Sequence, residues 1–209
     1  MRRYLLVFML LFLSKITYSQ DFQKDWKAFL SNQKEENFFW EINLDIPSQN
    51  VRICYFKKGT QYYYKYNDWI EWIWNTKEWI GINHQSKQIR IQAMKNNQLP
   101  STYPNADSLA FLSQTIGYQQ NGQGQRIYTM TFDPSQHPQI QQMVYYFSTK
   151  EQKVLLDKIM FYSHQKKDKA ITMSWNYLKE VSSELFQKET YIDKNKQATK
   201  YKGYALIEE

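Results

Sequence analysis

Cysteine is nearly absent. Cys54 stands alone, so the chain has no internal disulfide and must be held together by a core. Set in a strand-like run with aromatic neighbours, its thiol reads as a small buried hydrophobe rather than a reactive group. A membrane-spanning run is also missing from the N-terminus. The apolar stretch from Tyr4 to Leu13 follows Arg2 and Arg3 and gives way to Lys15 and the polar TYSQ, which is the layout of a secretory signal peptide and too short for a spanning helix.

Thr17 and Ser19 stand at the minus-three and minus-one positions of a cleavage before Gln20. Residues 1–19 are therefore expected to leave as a signal peptide, and 20–209, roughly 190 residues, to form a single domain. No cysteine follows the apolar stretch to take a lipid, so no stable membrane anchor is expected. The expected location is outside the cytoplasm, in the periplasm, with secretion as the alternative.

Strong charge of one sign is lacking. The formal charge is +7, and the leader takes Arg2, Arg3 and Lys15 with it while carrying no acidic residue. The remaining excess is too mild for a nucleic-acid signature, and export makes base stacking by KKGTQYYYKY remote. Short catalytic motifs are missing too. No Gly-x-Ser-x-Gly elbow, H-E-x-x-H helix, paired-cysteine motif or phosphate loop occurs. His84, His137 and His164 fall in three different expected turns without carboxylates at ligand spacing, and read as solvated loop residues. No enzyme activity, metal or cofactor is expected, and a monomer is.

What the chain has in plenty is aromatic surface, 17% of its residues with tyrosine the commonest. Tyr and Trp bury large apolar areas yet keep a polar tip, which suits a half-open sheet or cavity wall. Trp69, Trp72, Trp74 and Trp79 concentrate in one stretch, Cys54 to Ile91.

The periodicities give an architecture. Phe22, Trp26, Phe29 and Leu30 share one face of a helix over 21–33, with Lys24, Asp25 and Lys27 pointing away; the pattern fits a helix laid on a sheet. Phe38 to Ile46 alternates strictly, and a turn at 47–50 leads to Val51, Ile53 and Tyr55, so these two strands must pair antiparallel. Strands follow over 61–66, 69–74, 78–83 and 87–93, each closed by turn residues. An irregular stretch from Lys95 to Pro104 leads to a short helix over 107–114 carrying Leu109, Phe111 and Leu112, either a lid over one sheet face or a plug beneath it. Further strands are expected over 116–119, 126–132, 140–148, 154–162, 170–178 and 184–192, with a terminal strand in TKYKGYALIEE. The count is about eleven or twelve strands and two helices, mainly β with no βαβ alternation.

The order of these parts resembles the LolA-like superfamily of periplasmic lipoprotein carriers, nearest to small exported Bacteroidetes proteins of that type. The matching pieces are the N-terminal helix, the strand pair closing on FKKGTQYYYKY, the tryptophan-rich strand, KEWIGINHQSKQIRI, and the paired strands in IQQMVYYFSTKEQKVLLDKIMFY. The resemblance implies an α+β fold in which a curved antiparallel sheet, or incomplete β-barrel, has its apolar concave side covered by helices and holds lipid or lipoprotein acyl chains. In the carriers an Arg of the basic turn helps to hold the lid closed; Lys57 and Lys58 occupy that neighbourhood here, and an ammonium offers a point charge where Arg offers a planar fork.

The groove expected on this view is lined by Trp40, Ile42, Leu44, Ile53, Tyr55, Trp72, Trp74, Ile80, Ile82, Ile89 and Ile91. The alternative for that face is a filled core without a cavity. The alternative function is a non-catalytic envelope module that stacks Trp69 and Trp79 on a glycan or protein partner. The sequence names no envelope protein partner.

Overall fold

The computed structural model describes residues 18–46, 48–93, 113–165 and 170–208. Among the described residues one α-helix, α1 (18–31), precedes twelve strands. The strands are β1 (Asn37–Ile46), β2 (Gln49–Lys58), β3 (Gln61–Tyr66), β4 (Ile70–Trp74), β5 (Glu78–Asn83), β6 (Gln88–Ala93), β7 (Thr115–Gln120), β8 (Arg126–Thr131), β9 (Gln142–Lys150), β10 (Lys153–Tyr162), β11 (Ile171–Tyr177) and β12 (Ala205–Glu208). Their hydrogen-bonded order is β12-β6-β5-β4-β3-β2-β1-β11-β10-β9-β8-β7, an open sheet that does not close into a barrel. It is mixed, because β12 runs parallel to β6. The candidate lid residues Leu109, Phe111 and Leu112, and nearly all of the expected signal peptide, lie outside the described residues.

The chain gathers into two compact units. The first holds α1, β7 to β10 and most of β11; the second holds most of β1, then β2 to β6, the end of β11 and everything after it.

In the first unit the helical stripe read from the sequence does what its spacing requires. Phe22, Trp26 and Phe29 are at most 1% exposed. The Phe22 ring meets Tyr145 at 4.9 Å and Tyr128 at 5.5 Å in edge-on contacts, and Trp26 meets Tyr145 at 5.8 Å. Edge-to-face aromatic pairs add stabilisation beyond the area they bury. Asp25 does not point away as its polarity suggested. It is buried, accepting from Arg126 Nε at 2.6 Å and from the Tyr128 hydroxyl at 2.7 Å. Such pairing is what permits a carboxylate under a helix. Burial, and then this bond to Asp25, push the Tyr128 phenol well above its ordinary range. The β9–β10 hairpin turns through Glu151 and Gln152, both in the left-handed region at φ 50° and 64°, the backbone of a two-residue type I′ turn.

In the second unit the strand expected over Glu184–Ile192 is absent. The segment instead forms two short 3-10 turns, Ser183–Phe186 and Lys188–Thr190. The Ser182 hydroxyl accepts the Glu184 N–H and starts the first turn. Phe186, Tyr191 and Ile192 then drop into the sheet at an uneven spacing that no strand period allows. They cover Cys54, Phe56, Tyr63, Ile73, Ile80, Ile82 and Ile89, with Leu178, Tyr201 and Leu206 at the margin. Cys54 is thus a core residue, and burial pushes its thiol pKa up.

Candidate functional site: an open aromatic face and a buried carboxylate

Strand register decides which side chains share a face, because paired residues point the same way. In the second unit Tyr55 pairs with Tyr64, Tyr64 with Trp72, Tyr62 with Trp74, Trp72 with Gly81 and Trp74 with Trp79. These residues form an aromatic face. Phe38 joins it through its ring contact with Tyr55 at 5.3 Å, and Trp40 lies on the same side of β1. Tyr62 stacks on Trp74 at 5.3 Å and 7°, and Tyr64 on Trp72 at 5.2 Å and 22°. The row is graded. Phe38, Trp40, Tyr55 and Trp74 are buried, whereas Trp72 is 40% exposed although it sits mid-sheet. Burial and the neighbouring Tyr62 raise the Tyr55 phenol to about 12.

The expected groove residues therefore divide. Trp40, Ile42, Leu44, Ile53, Tyr55, Trp72 and Trp74 fall on the aromatic side. Ile80, Ile82, Ile89 and Ile91 do not: they point to the opposite, covered face and pack beneath the C-terminal segment. The reason is local. Trp74 pairs with Trp79 across the turn at 75–78, so the face that carries even-numbered residues in β4 carries odd-numbered ones in β5. Asn75 holds that turn, its Oδ1 accepting the N–H groups of Lys77 and Glu78.

Trp79 is half-buried rather than displayed. Its indole lies over Gly81, where an added Cβ would come within 2.3 Å of Cζ3, and its Nε1 donates to Gln92 Oε1 at 3.0 Å. Trp69 is 41% exposed in the turn between β3 and β4. Lys57 lies on the aromatic side and donates to the Glu35 carbonyl at 2.6 Å, with its ammonium about 6 Å from the rings of Phe38 and Tyr62. Lys58 is exposed at the end of β2.

The covered face holds a constellation that sequence reading missed. Glu71 is 1% exposed, and its Oε1 accepts the Tyr201 hydroxyl at 2.6 Å. The same oxygen lies 3.2 Å from His84 Nε2 and 3.5 Å from Lys65 Nζ, while Oε2 lies 3.9 Å from Lys200 Nζ. His84 Nδ1 reaches the Tyr204 hydroxyl at 3.0 Å. Burial, and then the charge of Glu71, push the Tyr63 phenol up; Tyr201 is raised by burial and by its bond to Glu71. His84 is thus no solvated loop residue, and the Nε2 atoms of His137 and His164 are buried as well. The available signal was Glu71 itself, a carboxylate in IEWIW at the parity of the core residue Ile73.

Chemically, one side of this unit offers flat apolar rings with hydroxyl tips, and the other ties its C-terminal segment down by a charged knot. Among the described residues no three His, Cys, Asp or Glu side chains stand together as a metal site.

The class this defines is a mainly β protein with an open twelve-stranded sheet and one described helix. No protein-family model and no curated protein matches the chain. Among solved structures, an uncharacterized conserved protein from Thermus thermophilus is similar with a TM-score of 0.46 at 8% identity, over 90% of this chain and 98% of that one. A DUF1329 family protein from Desulfovibrio piger is similar with a TM-score of 0.33 at 7% identity, over 81% of this chain and 98% of that one.

Proposed function

We propose that this is an exported, non-catalytic protein that binds an apolar chain, a lipid or the acyl groups of a lipoprotein, along the aromatic face at Tyr62, Tyr64, Trp72 and Trp74. The observation that carries this reading is Trp72, 40% exposed in the middle of a strand and stacked on Tyr64. Trp72 and the half-buried Tyr62 and Tyr64 beside it make a contiguous strip, and contiguous apolar patches mark interaction sites. Two other surfaces are largely occupied: α1 packs on the face of β8 and β9, and the C-terminal segment covers much of the far side of β2 to β6. Each methylene laid on such rings contributes about 0.8 kcal/mol, so a short acyl segment supplies useful affinity.

The order of parts shared with the LolA-like carriers supports the same reading, with delivery within the envelope as its purpose. Lys57 donates to a backbone carbonyl from the turn where those carriers place an Arg. Native mass spectrometry of protein purified from its own periplasm tests the proposal. The expected result is a co-purifying acylated species, together with quenching of Trp72 by a brominated lipid that disappears in Trp72→Phe. A clean unliganded mass with no lipid quenching overturns it.

A further inference from the structure

Beside Trp69 the covered face of the second unit is left open, and a half-open pocket of about 540 Å³ lies there, lined by Arg52, Cys54, Lys65, Asn67, Asp68 and Trp69 among others. We infer that this pocket is a saccharide site in which a pyranose ring stacks on the Trp69 indole. Its size falls within the range of small-molecule sites. Its floor is the Cys54–Lys65 pair of β2 and β3, and its lip is the turn 67–69.

The lip is built to hold its shape. Asn67 sits in the left-handed region at φ 48°, and its Oδ1 accepts the Arg52 N–H at 2.7 Å. The Trp69 N–H donates to the Tyr66 carbonyl at 3.2 Å, and its own carbonyl accepts the His84 N–H at 2.9 Å. Tyr66 backs the indole at 5.6 Å. The backbone of Trp69 is thus fixed at both peptide groups while 41% of the residue faces solvent, and a ring held open costs little entropy to use.

The polar groups decide the ligand class. The guanidinium of Arg52 is bonded to Glu41. Lys65 lies 2.8 Å from Asp68 and 3.5 Å from Glu71. The Lys65 hydrogen bond and charge hold the Asp68 carboxyl below its ordinary range. A free anion would have to displace these carboxylates from the cations, so the pocket is poorly suited to phosphate. A sugar needs no such exchange. Its hydroxyls both donate and accept, matching a carboxylate, an amide and two cations set around one rim. Its C–H face matches an exposed indole. None of Tyr62, Tyr64, Trp72 and Trp74 lines this pocket, so the inference does not rest on the lipid proposal.

The test titrates the full chain with neutral and amino-sugar trisaccharides, followed by tryptophan fluorescence and calorimetry, with inorganic phosphate as the competing probe. The expected result is saturable binding of at least one trisaccharide, weakened tenfold or more in Trp69→Ala, partly restored in Trp69→Phe, weakened several-fold in Asp68→Asn and unchanged in Trp72→Ala. Trp69 and Asp68 are exposed turn residues, and matching circular dichroism spectra show that the variants fold. The inference is overturned if no trisaccharide binds at about 10 mM, an affinity of under roughly 3 kcal/mol, if Trp69→Ala binds as well as wild type, or if phosphate displaces the sugar.

Discussion

The Tyr201 hydroxyl donates to Glu71 Oε1 at 2.6 Å, joining the C-terminal segment to β4 across 130 residues of chain. Removing the hydroxyl takes one partner from a buried carboxylate, whereas removing the carboxylate unpairs every group gathered around it. Tyr201→Phe is expected to cost about 2 kcal/mol, the worth of a hydrogen bond to a charged group. Glu71→Ala is expected to cost about 4 kcal/mol, because Lys65, Lys200 and His84 then lose their shared carboxylate. Urea denaturation measures both, and equal small losses would show that the knot does not bear on stability.

Gly81→Ala has a steric consequence. The new Cβ would stand within 2.3 Å of Trp79 Cζ3, so the indole must swing off the sheet and give up its bond to Gln92. A loss of about 1–3 kcal/mol is expected, with a red shift in tryptophan emission as the ring enters water. Unchanged emission would mean that the backbone moves instead.

Phe22→Ala tests the helix contact of the first unit. Phe22 is 0% exposed and touches Tyr128, Tyr145 and Phe147. The expected cost is about 3–5 kcal/mol, the usual loss for a fully buried Phe. Faster amide exchange along β8 and β9 is expected to accompany it.

Alkali should unfold the protein cooperatively. Burial comes first among the causes that raise the phenols of Tyr55, Tyr63, Tyr128, Tyr145, Tyr191 and Tyr201. Above about pH 10 the unfolded chain loses these protons while the native chain keeps them. Stability is therefore whole below pH 10 and falls as pH rises. The limiting slope is about 1.4 kcal/mol per pH unit for each fully buried phenol, Tyr145 being one. For Tyr55, burial and the neighbouring Tyr62 raise the phenol to about 12. Phenolate absorbance should show an exposed class ionising near pH 10 and a second class appearing only with unfolding. A single class near pH 10 would refute this.

Much of this was legible in the residue pattern. The spacing of Phe22, Trp26 and Phe29 gave the helix and its buried face, and the alternation of Phe38, Trp40 and Ile42 gave β1 and its parity. Faces were harder to carry from strand to strand. Each turn either keeps or reverses parity according to its pairing, and nothing in Asn75-Thr76-Lys77 states that Trp74 will oppose Trp79. The split of Ile80 and Ile82 from Trp72 and Trp74 follows from that one register. The knot at Glu71 was beyond reach for another reason: Lys200, Tyr201 and Tyr204 meet it only through tertiary packing over more than a hundred residues. The segment 184–192 misled because its large apolar residues suit a strand, whereas Ser182 and the needs of the core below make it turn.

The parallel ladder between β12 and β6 has a bearing on biosynthesis. Ala205 to Glu208 pair with Gln88 to Ile91, so the outer edge of β6 keeps its hydrogen-bonding groups bare until residues more than a hundred positions later have been made. A chain emerging from the ribosome carries that edge open throughout, and bare strand edges recruit other strands. The last few residues then act as a late-fitted guard, and a chain cut short before Ala205 is expected to be lost to aggregation even though its aromatic face is complete.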